Sequence, residues 1–399
     1  MCRAKSFKDV GKRSVPDGWL LPLSMVLLLF SATNLTAQAS TRFTGYWEHQ
    51  FSVGYGRGAW TQLDYDRFRA DLRANASRRA SASAGFVWQM YRGNTSINLS
   101  DAFPESFNVP DSLTVELQDR RFLNHAYFTL RPGAVEVTVG KQYLTWGAAW
   151  AFNPTELFRP KDLLEPTYER EGVGALSVKL PFGPLSNVMI AYLPEGNFDT
   201  SPKVLRVRHH VEGFDISAMV AETYEQPAPA AFGSTRLPIE RRLTLGGDIT
   251  GELFGLGVWA EGTWSERAGE RWVEATVGGN YTLADGTLLM IEGFYNGRGE
   301  SADSYSLEQW LGRLHGDGRT LGKGTVYAMA SRRFGDLWNV AASAITNTGD
   351  GSWAFIPAVT YAFSENVDLV ANLIFSVGAD GTEYGSGRQG GFVRGRVYF

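Results

Sequence analysis

The feature of this sequence that most constrains its fold is a series of short segments in which every second side chain is apolar. Clear examples are 43–55, 82–90, 256–264 and 367–375. Because successive side chains of a β-strand point to opposite faces, each segment predicts a strand with one apolar face. No stretch after residue 40 shows the apolar spacing of an amphipathic helix of ordinary length. The pattern therefore predicts an all-β protein.

The connections between these segments alternate between short and long. Tight turns rich in Gly, Pro, Asn and Asp, such as 131–134 and 285–287, lie between longer polar connections such as 93–117 and 296–322. Strands of about ten residues with short turns on one side and long loops on the other are typical of membrane barrels. We predict a transmembrane, antiparallel, up-and-down β-barrel of about 18 strands, with 16 as the alternative because 186–224 is hard to divide.

The first 39 residues predict export. A basic stretch precedes the apolar run 19–32, and Ala37-Gln38-Ala39 follows it. This order is typical of a secretory signal peptide cleaved after Ala39, and the apolar run is shorter than the roughly 20 residues of a membrane-spanning helix. The predicted organisation is a signal peptide over 1–39 and a barrel over 40–399.

Composition and motifs exclude several classes of function. The single cysteine, Cys2, lies in the predicted leader, so the exported chain has neither disulfides nor cysteine-ligated metal. With 42 acidic against 38 basic residues, the chain lacks the charge of a nucleic-acid-binding protein. The five histidines are His49, His125, His209, His210 and His315. None has the spacing of a metal or catalytic motif. We predict no enzymatic activity, no cofactor and no metal.

The chain ends in a strand, 391–399, with Arg394 and Arg396 on one face and Val397 and Phe399 on the other. The sequence VRGRVYF resembles the terminal signature of Gram-negative outer-membrane proteins, including porin-like channels. In those proteins Tyr is common two places before the terminal Phe, where this chain has Val397. The resemblance implies a Gram-negative outer-membrane location, with outer-membrane lipids and lipopolysaccharide as neighbours. It also implies that Phe399 is the signal read by the barrel-assembly machinery.

Charged side chains occupy the second face of many predicted strands. The predicted lumen residues are Arg69, Arg73, Arg206, Arg208, Arg242, Glu261, Glu274, Glu292, Arg394 and Arg396. So many charges cannot face a dry core, and a barrel of about 18 strands encloses an aqueous channel. The predicted strand order places the arginines of the second and last strands on one wall, roughly opposite the three glutamates. Opposed walls would create a transverse field that favours charged or dipolar solutes.

In one predicted strand, 61–75, the alternation of apolar and polar residues shifts by one position part of the way along. Its apolar side chains fall on a single face only if a β-bulge lies near Asp66 and Arg67. We therefore predict a bulge there, which would place Asp64 and Asp66 in the lumen beside Arg69.

The connection 146–172 is unusual for an outer loop. Pro154, Pro160 and Pro166 prevent a continuous helix or strand, while its aromatic side chains predict a packed segment. We predict that it folds inward and narrows the channel, like the third loop of porins, which it resembles in position; a lid over the mouth is the alternative. The predicted constriction residues are Trp146, Trp150, Phe152, Arg159 and Lys161.

These observations predict a porin-like outer-membrane channel for passive diffusion of small polar or charged solutes. One alternative is a non-transporting structural or adhesive barrel with a plugged lumen. Another is a channel for polyanion (polysaccharide) export, since the WG…NP motif of 146–154 also resembles that of polysaccharide-export barrels. The identity of the solute and assembly into a homo-oligomer stay open.

Overall fold

The structure is a computed structural model that describes residues 40–56, 58–107, 109–110, 113–161, 169–228, 237–316, 318–385 and 389–399. The predicted signal peptide, 1–39, lies outside the described residues.

The described part of the chain contains twenty strands. They are β1 (Ser40–Gly56), β2 (Ala59–Ser77), β3 (Ala80–Gly93), β4 (Ser96–Asn98), β5 (Thr114–Glu116), β6 (Arg120–Leu130), β7 (Glu136–Gln142), β8 (Val173–Pro181), β9 (Asn187–Tyr192), β10 (Lys203–Val211), β11 (Phe214–Glu225), β12 (Glu240–Leu253), β13 (Leu256–Arg267), β14 (Glu270–Thr282), β15 (Leu288–Asn296), β16 (Gly324–Phe334), β17 (Trp338–Asn347), β18 (Trp353–Ser364), β19 (Val367–Val377) and β20 (Gln389–Tyr398).

Eighteen of these strands form one sheet, in which each strand pairs antiparallel with the next along the chain. The exceptions are β4 and β5, which pair only with each other inside a connection. The sheet closes because β20 pairs with β1, with Tyr398 opposite Tyr46 and Gln389 opposite Tyr55. The predicted fold, an up-and-down barrel of 18 strands rather than 16, is confirmed.

The outer face of the barrel carries large exposed apolar side chains around its circumference. Examples on seven strands are Trp47, Val139, Ile190, Leu245, Ile291, Phe355 and Val393. Exposed aromatic side chains concentrate at the end with the tight turns, which is the periplasmic end in barrels of this kind. They include Phe182, Phe254, Phe334, Trp338, Phe363 and Phe399. A closed barrel with this apolar band fits a membrane, because every strand finds its backbone partners inside the sheet.

The turn between β12 and β13 shows how the short connections form. Phe254 and Gly255 have φ angles of +53° and +80°, so both central residues are left-handed. Such a two-residue turn matches the twist of the flanking strands, and glycine adopts it without a steric penalty. Phe254 is 93% exposed at the tip, where an aromatic side chain can contact the membrane interface.

The predicted bulge in β2 is absent, and this prediction was wrong. Every residue from Ser40 to Gly56 has a partner in continuous register on β2. Parity therefore places Tyr65 and Arg67 on the inner face, and Asp64 and Asp66 on the outer face.

A short helix, α1 (Leu307–His315), was not predicted. Ser306 and Gln309 form a capping box at its start, and Gly316 ends it in the left-handed conformation. Its nine residues are too few for a helical period to stand out in the sequence. Neither this helix nor any other in the described part of the chain has the length and hydropathy of a membrane span.

The extracellular connections pack on one another. Phe103, which follows β4, lies against Trp310 of α1, with their ring centroids 6.4 Å apart in a shared apolar cluster. Asp380, which follows β19, accepts hydrogen bonds from the backbone N–H groups of Glu105 and Ser106. Three connections thus form one packed layer at the extracellular end.

Candidate functional site

The connection after β7 folds back onto the inner face of the barrel, where a carboxylate on β13 binds its backbone. Glu261 Oε1 accepts hydrogen bonds from the N–H and the hydroxyl of Thr155, both at 2.7 Å. Glu261 Oε2 accepts from the N–H groups of Ala148 at 2.9 Å and Ala149 at 3.2 Å, and from Asn153 Nδ2 at 3.2 Å. These donors satisfy a buried carboxylate that has no cationic partner at hydrogen-bond distance among the described residues.

A second carboxylate, on β15, binds the next part of the same connection. Glu292 Oε1 accepts hydrogen bonds from the N–H groups of Ala151 at 3.0 Å and Phe152 at 2.7 Å. Glu292 Oε2 accepts from the N–H of Trp150 at 2.7 Å and from Trp259 Nε1 at 2.8 Å. Four donors therefore converge on one fully buried side chain.

We name residues 148–155 the anchored segment. Besides its hydrogen bonds, it makes apolar contacts with the wall, since the ring of Phe152 stacks on Phe294 with centroids 4.7 Å apart and planes at 4°. Before the segment, Trp146 is buried in a second apolar cluster and its Nε1 donates to the carbonyl of Thr155 at 2.5 Å. The aromatic residues that indicated a packed segment thus contact the inner wall.

Gly147 explains how the backbone comes so close to the wall. Its φ of +94° lies in the left-handed region. A Cβ at this position would lie 2.6 Å from Glu261 Oε2 and 2.8 Å from Asn153 Nδ2. A glycine is therefore required at the start of the anchored segment.

The three predicted wall glutamates lie on the inner face, but they do not form an exposed acidic wall. Glu261 and Glu292 are used by the anchored segment, and Glu274 lies 3.7 Å from Arg242 and 3.6 Å from Arg319. All three are at most 6% exposed. The expectation of an acidic wall facing the solute is corrected, because backbone N–H groups and arginines already match these charges.

The last strand places both predicted arginines on the inner face. Arg396 Nη2 lies 2.5 Å from Glu48 Oε2, and Arg394 Nε donates to Gln50 Oε1 at 2.8 Å. Arg394 Nε is 3.7 Å from Glu48, which also accepts a hydrogen bond from Tyr65 at 2.9 Å. Arg396 is thus the main counter-charge of a fully buried glutamate, and Arg394 is not.

On β2, which pairs with the other side of β1, Arg69 joins the wall to the return of the inward connection. Arg69 Nε lies 2.6 Å from Asp71 Oδ2, and its Nη1 forms an ion pair with Glu169. Glu169 also accepts a hydrogen bond from Tyr46 at 2.9 Å and lies 3.6 Å from Arg67. Sequence parity could not identify Glu169, because it belongs to an irregular connection.

The other predicted lumen arginines are distributed around the inner face. Three of them pair with carboxylates: Arg206 with Asp248 at 3.0 Å, Arg208 with Asp215 at 2.6 Å and Arg242 with Glu225 at 3.2 Å. Arg73 instead lies exposed, directly opposite Arg42 on β1.

The predicted constriction residues divide into two groups. The three aromatic residues face the wall, whereas Arg159 is exposed. Lys161 Nζ donates to the carbonyls of Ala149 and Trp150, both at 2.8 Å, so it braces the anchored segment from the other side. Burial lowers the pKa of Lys161.

Glu156 follows the anchored segment and pairs with the return of the connection. Its Oε2 accepts a hydrogen bond from Arg170 Nη1 at 2.9 Å, while its backbone carbonyl accepts one from Arg319 at 2.8 Å. Burial raises the pKa of Glu156 to about 7, and the positive charge of Arg170 opposes that increase. This carboxylate therefore changes charge near neutral pH.

Phe399 lies at the periplasmic end, on the outer face. Its backbone exchanges hydrogen bonds of 2.9 and 3.0 Å with Gly45, which extends the pairing that closes the barrel. Its ring lies 5.8 Å from those of Phe43 and Phe68. A Cβ on Gly45 would lie 2.2 Å from the carbonyl oxygen of Arg69 and 2.6 Å from the Phe399 ring, so glycine makes room for both the neighbouring strand and the terminal side chain.

These observations define the class of protein to which the barrel belongs. A closed barrel of 18 strands with an apolar outer band, a charged inner face and an inward-folded connection is an outer-membrane β-barrel of the porin type. Its location is the Gram-negative outer membrane.

Solved structures of outer-membrane proteins are similar to this chain. OccAB1 of Acinetobacter baumannii is similar with a TM-score of 0.58 at 10% identity, over 92% of this chain and 98% of that one. OmpF of Salmonella typhi gives 0.46 at 13% identity, over 90% and 97%. A mutant porin of Rh. blastica gives 0.46 at 13%, over 90% and 100%. No protein-family model and no curated protein matches the sequence.

Proposed function

We propose that this barrel is a porin-like channel through which small polar or charged solutes diffuse passively across the outer membrane. The observation that carries the proposal is the exposure of charged side chains on the inner face. Arg396, Asp71 and Glu169 keep 20%, 26% and 31% of their side-chain surface exposed with the anchored segment in place. Charges that stay solvated within a barrel need water beside them, and that water is a route for polar solutes.

The wall formed by β20, β1 and β2 supports a preference for anions. Its inner-face arginines are Arg67, Arg69, Arg73, Arg394 and Arg396. Its neighbouring carboxylates among the described residues are Glu48, Asp71 and Glu169. This excess of positive charge acts over about 10 Å at ~0.1 M salt, which is comparable to the radius of a narrowed lumen.

Replacing Arg394 tests this preference, because Arg396 still pairs with Glu48 in that variant. For Arg394→Gln in planar bilayers, we expect the reversal potential under a salt gradient to shift toward cations at ~0.1 M salt. The shift should shrink at about 1 M salt, where the screening length is about 3 Å.

The matched control is the double variant Glu48→Gln with Arg396→Gln, which removes one charge of each sign. It should leave the reversal potential near that of the wild type. An unchanged potential for Arg394→Gln at low salt would contradict the proposed role of this wall.

The same recordings separate the alternatives. A closed baseline at all voltages would favour a structural or adhesive barrel with a plugged lumen. Block by long polyanions, without block by small anions, would favour polysaccharide export. The absence of enzymatic activity, contact with lipopolysaccharide and reading of Phe399 by the assembly machinery are parts of the same proposal.

A further inference from the structure

Three donors on the inner face of β1 and β2 converge on one oxygen of a carboxylate from the inward connection. Tyr46 lies directly opposite Arg69 in the register of the two strands, and Arg67 lies two residues before Arg69 on the same face. Glu169 Oε2 accepts a hydrogen bond from the Tyr46 hydroxyl at 2.9 Å, pairs with Arg69 Nη1 and lies 3.6 Å from Arg67 Nη2. We name Tyr46, Arg67 and Arg69 the three-donor site.

Neighbouring side chains of the wall hold the three-donor site in place without Glu169. Asp71 Oδ2 lies 2.6 Å from Arg69 Nε, and Asp71 Oδ1 accepts a hydrogen bond from Arg69 Nη2 at 2.9 Å, which leaves Nη1 for the site. The guanidinium carbon of Arg396 lies 4.4 Å from the centre of the Tyr46 ring and adds positive charge beside it. The donors are therefore preorganised, and an anion that binds them does not have to order them.

Water reaches the three-donor site from the side on which Glu169 lies. The three donor residues are at most 9% exposed, whereas the side chain of Glu169 is 31% exposed. If Glu169 withdrew, Arg69 Nη1 and the Tyr46 hydroxyl would lose this acceptor in a buried place, which is unfavourable. Glu169 can therefore be exchanged only for another group that brings a negatively charged oxygen.

We propose that the three-donor site binds the carboxylate of a solute, and that Glu169 occupies it in this structure as an internal competitor. The inference rests on the proposed channel only for the route by which the solute arrives. A carboxylate is favoured over a neutral solute because guanidinium groups and a hydroxyl already direct their hydrogens to one carboxylate oxygen. A competitor tethered to the same chain acts at an effective concentration on the order of millimolar, which the solute has to exceed.

Binding of acetate to the purified protein tests the site without any current. Acetate has the atoms that Glu169→Ala removes. In saturation-transfer NMR at constant ionic strength, we expect acetate binding to Glu169→Ala to saturate at a concentration several-fold lower than for the wild type, because the competitor is gone. The matched control is Glu171→Ala, which removes a carboxylate of the same connection that is 28% exposed and pairs with Lys141. It should bind acetate like the wild type.

Two further measurements identify the donors and the ligand class. Tyr46→Phe in the Glu169→Ala background removes one donor and should weaken acetate binding about tenfold, with heat-modifiable migration as the check of folding. Acetamide, a neutral molecule of the same shape, should not bind to Glu169→Ala.

The proposal is overturned if the wild type and Glu169→Ala titrate alike, or if Glu171→Ala gains as much affinity. It is also overturned if Tyr46→Phe has no effect, or if acetamide binds as well as acetate. A closed baseline in planar bilayers, together with the expected acetate binding, would contradict the proposed channel and leave the site standing.

Discussion

Replacing Glu292 by Gln should release part of the anchored segment. Four donors converge on this carboxylate, two on each oxygen. An amide has one oxygen and one NH₂ group, so in either orientation two donors lose their acceptor and face another donor. Hydrogen bonds to charged groups contribute about 1.5–3 kcal/mol each, so the site should lose roughly 3–6 kcal/mol. The anchored segment loses two of its own hydrogen bonds if the NH₂ group faces Ala151 and Phe152, and one if it faces Trp150 and Trp259, because Trp259 donates from β13.

Single-channel recording in planar bilayers measures this effect. We expect Glu292→Gln to show larger conductance and frequent transitions between conductance levels, because the segment leaves the wall for part of the time. Glu261→Gln should act in the same direction, and the two losses need not add, since both residues bind one segment.

The matched control is Glu274→Gln, which removes a buried inner-face carboxylate of the same wall that contacts arginines rather than the anchored segment. Its conductance levels should stay steady. If folded Glu292→Gln behaves like the wild type, the carboxylate does not position the segment. If Glu274→Gln is equally unsteady, the effect comes from a weakened wall.

Two further predictions follow from the same geometry. Because the pKa of Glu156 is raised to about 7, acidification from about pH 8 to 6 should neutralise it, leave Arg170 unpaired and increase anion preference. Glu156→Gln should remove this pH dependence, and a pH-independent wild type would contradict it. Gly45→Val should clash with the carbonyl oxygen of Arg69 and displace the Phe399 ring, and so slow assembly, measured as heat-modifiable barrel over time. Gly174→Ala, where a Cβ meets nothing within 4 Å, should assemble normally.

The barrel could be predicted from sequence because its signals are local. Alternation along each strand separates the two faces, and turn residues mark where strands end. The parity of the last strand was right for the same reason: Arg394 and Arg396 face inward, and Val397 faces outward.

The errors arose where long-range partners override the local pattern. Tyr65 resembled an outward apolar residue, but its hydroxyl donates to Glu48 in the lumen. Asp66 resembled a lumen residue, but the register turns it outward, where it lies 3.0 Å from His49 Nδ1 and forms an ion pair with Arg92 at 2.9 Å. The alternation of apolar and polar side chains along one strand cannot predict partners on other strands.

For the glutamates of the wall, the sequence likewise predicted the position but not the partners. Parity placed Glu261 and Glu292 on the inner face, yet it could not show that a connection more than a hundred residues earlier supplies their hydrogen-bond donors. Irregular backbone has no periodicity, so the course of the anchored segment and the position of Glu169 came only from the structure.

Most of the hydrogen bonds that position the anchored segment are made to its backbone N–H groups rather than to its side chains. Every residue type except proline offers the same N–H group to Glu261 or Glu292. The side chains of Ala148 and Trp150 can therefore change without loss of the hydrogen bonds that hold their backbone. A barrel built in this way could acquire a new filter by substitutions at such positions, and a designer could exchange them while keeping Gly147, Lys161 and the two glutamates.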